Sequence, residues 1–383
     1  MDKIFSKIDN RGKLDRSDLV ELLQSNLPGQ MEKLCRKAYD VKSAEVGKRV
    51  YFRGIIEFSN ICSRDCYYCG IRKSNFHSKR FNMSDEEILT AATWAWENHY
   101  GSIVLQSGER NDSPFVDRIT ALCRKIKDLS HGELGITLSL GEQSPKTYRR
   151  WFDAGAHRYL LRIETSNSHL YKNIHPAESG MEQRIACLNH LRDAGYQVGT
   201  GVMIGLPGQS AGDLADDILF YEKQDIDMIG MGPYIVHNQT PMAQTAGEID
   251  AGEQLNKALK MIAVTRLYLR NVNIAATTAL QALDPLGREK GLLAGANIIM
   301  PNITDTKYRA AYQLYENKPC LDENSGICRS CLEKRIKKID ESIGYNQWGD
   351  SPHFYQRKLE LPDQDDLLSR GDRTGLNKSK IDA

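Results

Sequence analysis

The sequence predicts an α/β fold of the (β/α)8 TIM-barrel class, with an N-terminal helical extension and a C-terminal extension that contains cysteines. Short β-branched runs alternate with amphipathic helical segments through most of the chain, which is typical of a parallel sheet covered by helices. The alternation gives eight strand candidates, and a chain of 383 residues is long enough for one such barrel with additions. A doubly wound open sheet is the alternative that the same alternation allows.

The first 48 residues predict a helical cap, because Leu19, Leu22 and Leu23 recur at helical spacing after Asp15 and Ser17. The domain boundaries follow from changes in pattern: a helical cap at 1–48, the barrel at 49–318, an accessory-cluster segment at 319–355 and a polar, mobile tail at 356–383.

The predicted strands cover residues 50–58, 102–106, 134–140, 157–164, 197–204, 227–231, 272–277 and 296–300. Capping-box spacing predicts two of the helices between them, one at Ser84 with Glu87 and one at Ser210 with Asp213. A third helix is predicted where Ser144 precedes a proline, as an N-cap followed by proline at the first helical position.

Composition excludes several classes of function. The formal net charge is +1 and no basic stripe is present, so no nucleic-acid partner is expected. No apolar segment approaches the length of a membrane span, and the N-terminus lacks the apolar region of a signal peptide, which predicts a cytoplasmic protein without a membrane partner. Nine cysteines, most of them in two dense clusters, favour metal binding over a disulfide framework.

The first cysteine cluster directly follows the first predicted strand. Cys62, Cys66 and Cys69 are spaced C-x3-C-x2-C, and three soft thiolates this close select zinc, Cu(I) or an iron–sulfur cluster. Structural zinc needs a fourth ligand at similar spacing, which the loop does not offer. A 4Fe-4S cluster with three cysteines keeps one iron free for another molecule, and this interpretation is favoured over zinc.

This spacing resembles the signature of the radical S-adenosylmethionine (radical SAM) superfamily. The resemblance implies a 4Fe-4S cluster and S-adenosylmethionine as cofactors, with Tyr68 near the adenine. Ser107, Gly108 and Glu109 follow the second strand and resemble the superfamily's glycine-rich segment, which meets the methionine amino group through its backbone.

The ends of the later strands carry further polar side chains. Alternation along the fourth strand places Arg162 and Glu164 on one face towards the barrel mouth, where they either pair with each other or bind polar ligands. Thr277 and Thr278 end the seventh strand. With Arg162 they could line a polar substrate pocket, although adjacent threonines are also common as simple strand formers.

Several segments together resemble the HydE family of radical SAM maturases: Ile56 to Asn60, Leu161 to Thr165, Gly205 to Gln209, Gly230 to His237, Ala276 to Ala279, Met300 to Asn302 and the C-terminal cysteine block. The resemblance implies that Cys62, Cys66 and Cys69 ligate the cluster. It also implies two sets of binding residues, which are Glu164, Arg184 and Met228 beside S-adenosylmethionine, and Arg162, Thr277, Thr278, Met300 and Tyr312 around an internal cavity.

For function, the resemblance implies reductive cleavage of S-adenosylmethionine to a 5′-deoxyadenosyl radical during assembly of the FeFe-hydrogenase diiron subcluster. The implied substrate is a small organometallic or amino-acid-like molecule, a cysteine-bound iron with carbon monoxide and cyanide. The implied partners are the maturases HydG and HydF and an electron donor such as a reduced ferredoxin or flavodoxin.

Cys320, Cys328 and Cys331 form the second cysteine cluster, spaced C-x7-C-x2-C. They resemble the family's accessory site, which implies a second iron–sulfur cluster, either 2Fe-2S or 4Fe-4S. Zinc is the alternative.

Three other functions share some of these features. A methylornithine synthase-like mutase, or another HydE-like enzyme acting on a small molecule, would share the barrel and the first motif. Biotin synthase would need inward-facing cysteines, whereas Cys123 and Cys187 lie in predicted helices. An iron–sulfur carrier or scaffold would need the cysteines but not the polar residues at the strand ends.

Overall fold

The computed structural model describes residues 1–360, apart from residues 28, 246 and 248. This part of the chain contains fifteen α-helices and eleven β-strands. The helices are α1 Asp2–Asp9, α2 Arg16–Gln24, α3 Gln30–Glu45, α4 Asp85–Glu97, α5 Ser113–Leu129, α6 Pro145–Asp153, α7 Ser168–Ile174, α8 Met181–Asp193, α9 Ala211–Lys223, α10 Ala251–Leu269, α11 Thr278–Leu283, α12 Gly287–Leu293, α13 Thr306–Arg309, α14 Ser325–Lys338 and α15 Pro352–Glu360. The strands are β1 Arg49–Ser59, β2 Ser102–Ser107, β3 Gly135–Ser139, β4 Ala156–Leu160, β5 Gln197–Thr200, β6 Met203–Ile204, β7 Met228–Ile229, β8 Gly232–Pro233, β9 Asn273–Ile274, β10 Ile298–Ile299 and β11 Ser342–Ile343.

Eight strands form a parallel barrel in the order β10-β1-β2-β3-β4-β5-β7-β9. A parallel bridge between Ala275 and Ile298 joins the two ends of this order and closes the barrel. Two further strands, β6 and β8, pair with each other just beyond β5 and β7. The predicted (β/α)8 class is therefore confirmed, and the open doubly wound sheet is excluded.

Local sequence signals place several of the helices. Capping boxes form at Ser84 with Glu87 and at Ser210 with Asp213, as their spacing predicts. The later strands are shorter than predicted. In particular, β4 ends at Leu160 rather than at residue 164, and the backbone passes through a left-handed conformation at Glu164, where φ is 68°.

The N-terminal helices pack on the outside of the barrel, α3 against α10 and α2 against α9. The segment around Gly349 and Asp350 covers the amino-terminal ends of the barrel strands. There Asp350 accepts a hydrogen bond from the fully buried Arg158 at 2.5 Å, and Gly349 O accepts one from Arg53 at 3.1 Å. The barrel is thus closed at this end, so that access to its interior comes from the carboxyl ends of the strands.

The predicted tail begins at residue 356, inside α15, and its residues from 361 onwards lie outside the described residues. Among the helices that the structure describes, none combines the length and apolar character needed to cross a membrane.

Candidate active site

A cavity of about 310 Å³ opens at the carboxyl ends of the barrel strands. Fifteen of the residues predicted from the sequence line it: Cys62, Cys66, Tyr68, Cys69, Ser107, Gly108, Glu109, Arg162, Glu164, Arg184, Thr277, Thr278, Met300, Tyr312 and Cys320. Met228 does not. Its side chain lies deeper in the barrel, where the Sδ atom accepts a hydrogen bond from Arg53 at 3.0 Å.

Arg80 holds the cysteine loop in place from outside the cavity. Its two terminal nitrogens donate to backbone carbonyls on both sides of the three cysteines, which fixes the start of the loop relative to its end. The acceptors are the carbonyl oxygens of Asn60 at 2.6 Å, Ile71 at 2.8 Å, Arg72 at 2.6 Å, Lys73 at 3.3 Å and Asn75 at 3.2 Å.

The segment after β2 binds the cysteine loop through its backbone. Gly108 N donates to Ser59 O at 3.0 Å, and Ser63 N donates to Glu109 O at 2.9 Å. A Cβ atom on Gly108 would lie 2.4 Å from Ile61 O and 2.7 Å from Cys62 Cβ, so only glycine allows this approach. The ends of β1 and β2 therefore form one unit.

The three thiols fit a metal–sulfur centre. Cys62 Sγ accepts hydrogen bonds from the backbone N–H groups of Arg64 at 3.4 Å and Glu109 at 3.3 Å, which favour a thiolate. Burial acts the other way and raises the pKa of Cys66 to about 12 and that of Cys69 well above its usual value. Buried thiols that line one cavity are stable as thiolates when a cation compensates their charge, which is what a bound cluster supplies.

We expect Arg80→Ala to weaken cluster retention. Ligands that are held by outer partners lose about 10–100-fold in metal affinity when those partners are removed. The measurement is iron and sulfide content after anaerobic reconstitution and gel filtration. Lys79→Ala is the matched control, since Lys79 is the exposed neighbour of Arg80. Equal iron retention in the two variants would contradict the role of Arg80.

A charged network forms the wall next to the cysteine loop. Arg64 bridges two carboxylates, donating to Glu109 and, at 2.8 Å, to Glu142. Glu142 also accepts from Arg184 Nε at 2.8 Å, and Arg184 Nη1 donates to Arg162 O at 3.0 Å. Arg184, expected on a helix surface unless a ligand holds it, is thus buried within the cavity wall.

Arg162 and Glu164 lie side by side in the cavity lining, although both follow the end of β4 and do not alternate within a strand as predicted. Arg162 Nη2 is 2.9 Å from Glu164 Oε2 and donates to Val202 O at 2.9 Å. Oε2 of Glu164 is buried and, beyond this ion pair, receives no hydrogen bond from a described residue, because Arg162 Nη2 donates to Val202 O instead; burial raises the pKa of this carboxyl. Glu164 also has a positive φ, and strain of this kind is concentrated at ligand sites.

The deeper part of the cavity is polar. Thr277 Oγ1 is buried without a hydrogen-bond partner, and Tyr312 is fully buried beside it in the lining. Glu57, on β1, is held by Lys318 Nζ at 2.5 and 2.6 Å and by Asn302 at 2.9 Å. A small polar molecule could therefore bind here beyond the cysteine loop.

The second cysteine cluster lies at the edge of this cavity. Ligand atoms of Cys320, Glu323 and Cys328 lie within 4.8 Å of one another, which makes them a candidate metal site. Cys331, the third predicted ligand, is exposed and is not in this group. Glu323 was not predicted, because a carboxylate between cysteines carries no spacing signal of its own.

Arg64, Arg80 and Glu142 were also missed from the sequence. Glu142 carried a usable signal, since it follows the third strand closely and strand ends were the places to search. Arg80 carried no such signal, because its role depends on how the cysteine loop folds around it in three dimensions.

Comparisons with known proteins give the chain's relatives. Residues 56–221 match the family model described as the radical SAM superfamily. The chain is 40% identical over 356 residues to the FeFe hydrogenase maturase subunit HydE of Thermotoga maritima, a match that covers 92% of this chain and 98% of that protein.

Two solved structures share the fold. Methylornithine synthase (PylB) superposes with a TM-score of 0.76 at 21% identity, covering 89% of this chain and 97% of that one. The FeFe-hydrogenase maturase HydG of Carboxydothermus hydrogenoformans gives a TM-score of 0.75 at 20% identity, covering 92% of this chain and 81% of that one. At these identities the likeness concerns the fold alone.

Proposed function

This chain belongs to the HydE family of the radical SAM superfamily, and we propose that it serves FeFe-hydrogenase maturation by cleaving S-adenosylmethionine in the cavity at the barrel mouth. One observation carries the proposal: the cysteine loop, the Gly108 segment and the charged residues Arg64, Glu109 and Arg184, which Glu142 joins from behind, all line the same cavity. An iron–sulfur carrier would need the cysteine loop but neither the Gly108 segment nor the charged network.

In this proposal Cys62, Cys66 and Cys69 hold a 4Fe-4S cluster. The cluster, when bound, supplies the electron that cleaves S-adenosylmethionine into methionine and a 5′-deoxyadenosyl radical. The chain's own residues position the sulfonium compound and keep water away. Tyr68 covers the adenine side, and the backbone of residues 107–109 meets the methionine amino group.

Glu164 and Arg184 are proposed to bind the remaining polar groups of S-adenosylmethionine. Glu164 Oε2 pairs with Arg162 but receives no hydrogen bond of good geometry from the described residues, so it can accept one from the ligand. Arg184 Nη2 has no acceptor among the described residues, while Nε and Nη1 are engaged, so it can serve the methionine carboxylate. Met228, which was predicted beside this ligand, is left out of the set because it lies below the cavity.

The substrate is proposed to bind in the deeper part of the cavity, among Arg162, Thr277, Thr278, Met300 and Tyr312. This lining suits a small molecule with polar or anionic groups. Within hydrogenase maturation, the proposed substrate is a cysteine-bound iron carrying carbon monoxide and cyanide, delivered by HydG, with the product passed to HydF. A reduced ferredoxin or flavodoxin is the proposed electron donor.

A second metal site is proposed at Cys320, Glu323 and Cys328. Thiolates favour iron–sulfur or zinc, and we propose an iron–sulfur cluster to which the exposed Cys331 contributes after a local movement of α14. The number of iron atoms per chain tests this proposal. A 4Fe-4S cluster at the first site alone contributes four iron atoms, so a second iron–sulfur cluster requires more than four.

Two assays test the proposed function in sequence. Anaerobically reconstituted protein, given S-adenosylmethionine and dithionite, is expected to form 5′-deoxyadenosine, which a carrier would not do. Added to HydG, HydF and apo-hydrogenase, it is then expected to restore hydrogen production. Cleavage without restoration would instead favour a mutase like methylornithine synthase.

A further inference from the structure

The cavity wall contains a buried cation, Arg288, that has no partner among the described residues. It lies on α12 with 2% of its surface exposed and lines the cavity beside Thr278 and Cys320. Its Nε and Nη1 atoms are inaccessible and unpaired, and no hydrogen bond or ion pair joins its guanidinium to another described residue. This arrangement requires an explanation, because a guanidinium stays protonated in proteins.

The other buried arginines do not share this feature. Within the described part of the chain, five more arginines are buried, and each donates to an oxygen atom of the protein. They are Arg53 to Gly349 O, Arg158 to Asp350, Arg184 to Glu142, Arg266 to Gly295 O and Arg309 to Thr304 O. Arg288 is therefore an exception to the usual pairing of buried charge.

When the ion pairs around the cavity are assigned, Arg288 is the cation that has no carboxylate partner in the described part of the chain. Each carboxylate that lines the cavity, and Glu142 next to it, has its own cation. The pairs are Glu57 with Lys318, Glu109 with Arg64, Glu142 with Arg184 and Glu164 with Arg162. Arg288 is left without a carboxylate from the lining, so this part of the described cavity is suited to a ligand that carries a negative charge.

Two further donors lie in the same cavity wall. Arg162 Nε and Thr277 Oγ1 are buried and unpaired, and their residues line the cavity together with Arg288. A planar anion is the ligand that a guanidinium fork binds best, and a neighbouring hydroxyl can donate to the same group. The unpaired guanidinium of Arg288 therefore favours an oxyanion as its ligand.

We propose that Arg288 binds the carboxylate of an amino-acid-derived substrate and thereby sets its orientation in the cavity. This inference rests on the proposed function, in which the substrate carries a cysteine. Arg288 would then be a substrate-binding residue, which explains why the folded chain keeps an uncompensated charge there.

The thiols of the second cysteine cluster are the competing partner. Arg288 is close enough to act electrostatically on Cys320 and Cys328. If metal-bound thiolates there were its real partner, loss of Arg288 would remove iron from that site and leave carboxylate binding unchanged.

The test uses reconstituted enzyme with S-adenosylmethionine bound, and two probes titrated by calorimetry. S-methyl-L-cysteine carries the carboxylate, and 2-(methylthio)ethylamine is the same molecule without it. Neither has a free thiol to bind iron. We expect the wild type to prefer the first probe by about tenfold or more, as for a charge-assisted hydrogen-bonded pair.

Arg288→Gln is expected to abolish this preference while retaining the iron content of the wild type. Lys290→Gln is the matched control, since Lys290 lies on the same helix but is exposed and pairs with Asp284 at 2.6 Å. A preference that survives in Arg288→Gln, a wild type with no preference, or iron lost from Arg288→Gln with the preference intact would each overturn the inference.

These outcomes separate the inference from the proposed function. If hydrogen production is restored but Arg288→Gln keeps the preference, the inference alone fails. If the preference depends on Arg288 but hydrogen production is not restored, the carboxylate site stands and the proposed function fails.

Discussion

Cys66→Ala is expected to abolish formation of 5′-deoxyadenosine from S-adenosylmethionine, whereas Cys328→Ala is expected to leave it close to the wild-type rate. Cys66 is one of the three thiols of the cysteine loop, and a 4Fe-4S cluster with two protein ligands has too few to be held. Cys328 lies on α14, where it is buried and does not line this cavity. The measurement is 5′-deoxyadenosine released per chain under dithionite, with iron counted in the same samples.

Cys35→Ala is the control for loss of a thiol as such, because Cys35 lies on α3 on the outside of the barrel. Its iron content and cleavage rate should match those of the wild type. The Cys328 variant should retain about four irons per chain, the content of the first cluster. A loss of cleavage in Cys328→Ala as complete as in Cys66→Ala would show that the second site is essential.

The sequence predicted the fold because its signals are local. The capping boxes at Ser84 and Ser210 and the alternation of strands and helices are set by neighbouring residues, and all of them appear in the structure. The lengths of the later strands could not be predicted. Strands such as β7 and β9 have two residues each, because their limits depend on pairing with a distant neighbour rather than on local preference.

The cavity lining was predicted for a different reason. Once the strands are ordered in a barrel, their carboxyl ends meet, so Cys62, Gly108, Arg162 and Thr277 had to face a common space. Arg288 does not follow a strand end. It lies on α12, one of two short helices between β9 and β10 that the sequence pattern did not predict. Its lack of a partner becomes visible only when the ion pairs of the other cations in the cavity are known.

Gly108→Ala is expected to lower the rate of S-adenosylmethionine cleavage by about 100-fold, the cost that a misplacement of about 1 Å can have at a catalytic group. The added Cβ would lie 2.4 Å from Ile61 O and 2.7 Å from Cys62 Cβ, which is closer than a methyl group can approach either atom. Relief requires the β2 segment to move away from the cysteine loop. This breaks the hydrogen bond from Glu109 N to Cys62 Sγ and shifts the backbone proposed to meet the methionine amino group.

The effect should be local, and Gly180→Ala is the matched control. Gly180 has φ of −75°, and its added Cβ would have no neighbour nearer than 3.8 Å, so alanine fits without strain. We expect Gly108→Ala to melt below Gly180→Ala, because its clash is an overpacking that costs stability, so the cleavage rates are compared at a temperature at which both variants are folded. If Gly108→Ala cleaved S-adenosylmethionine as fast as Gly180→Ala, the close approach of the two strand ends would have no part in binding the cofactor, and the contact at Cys62 would be a packing feature only.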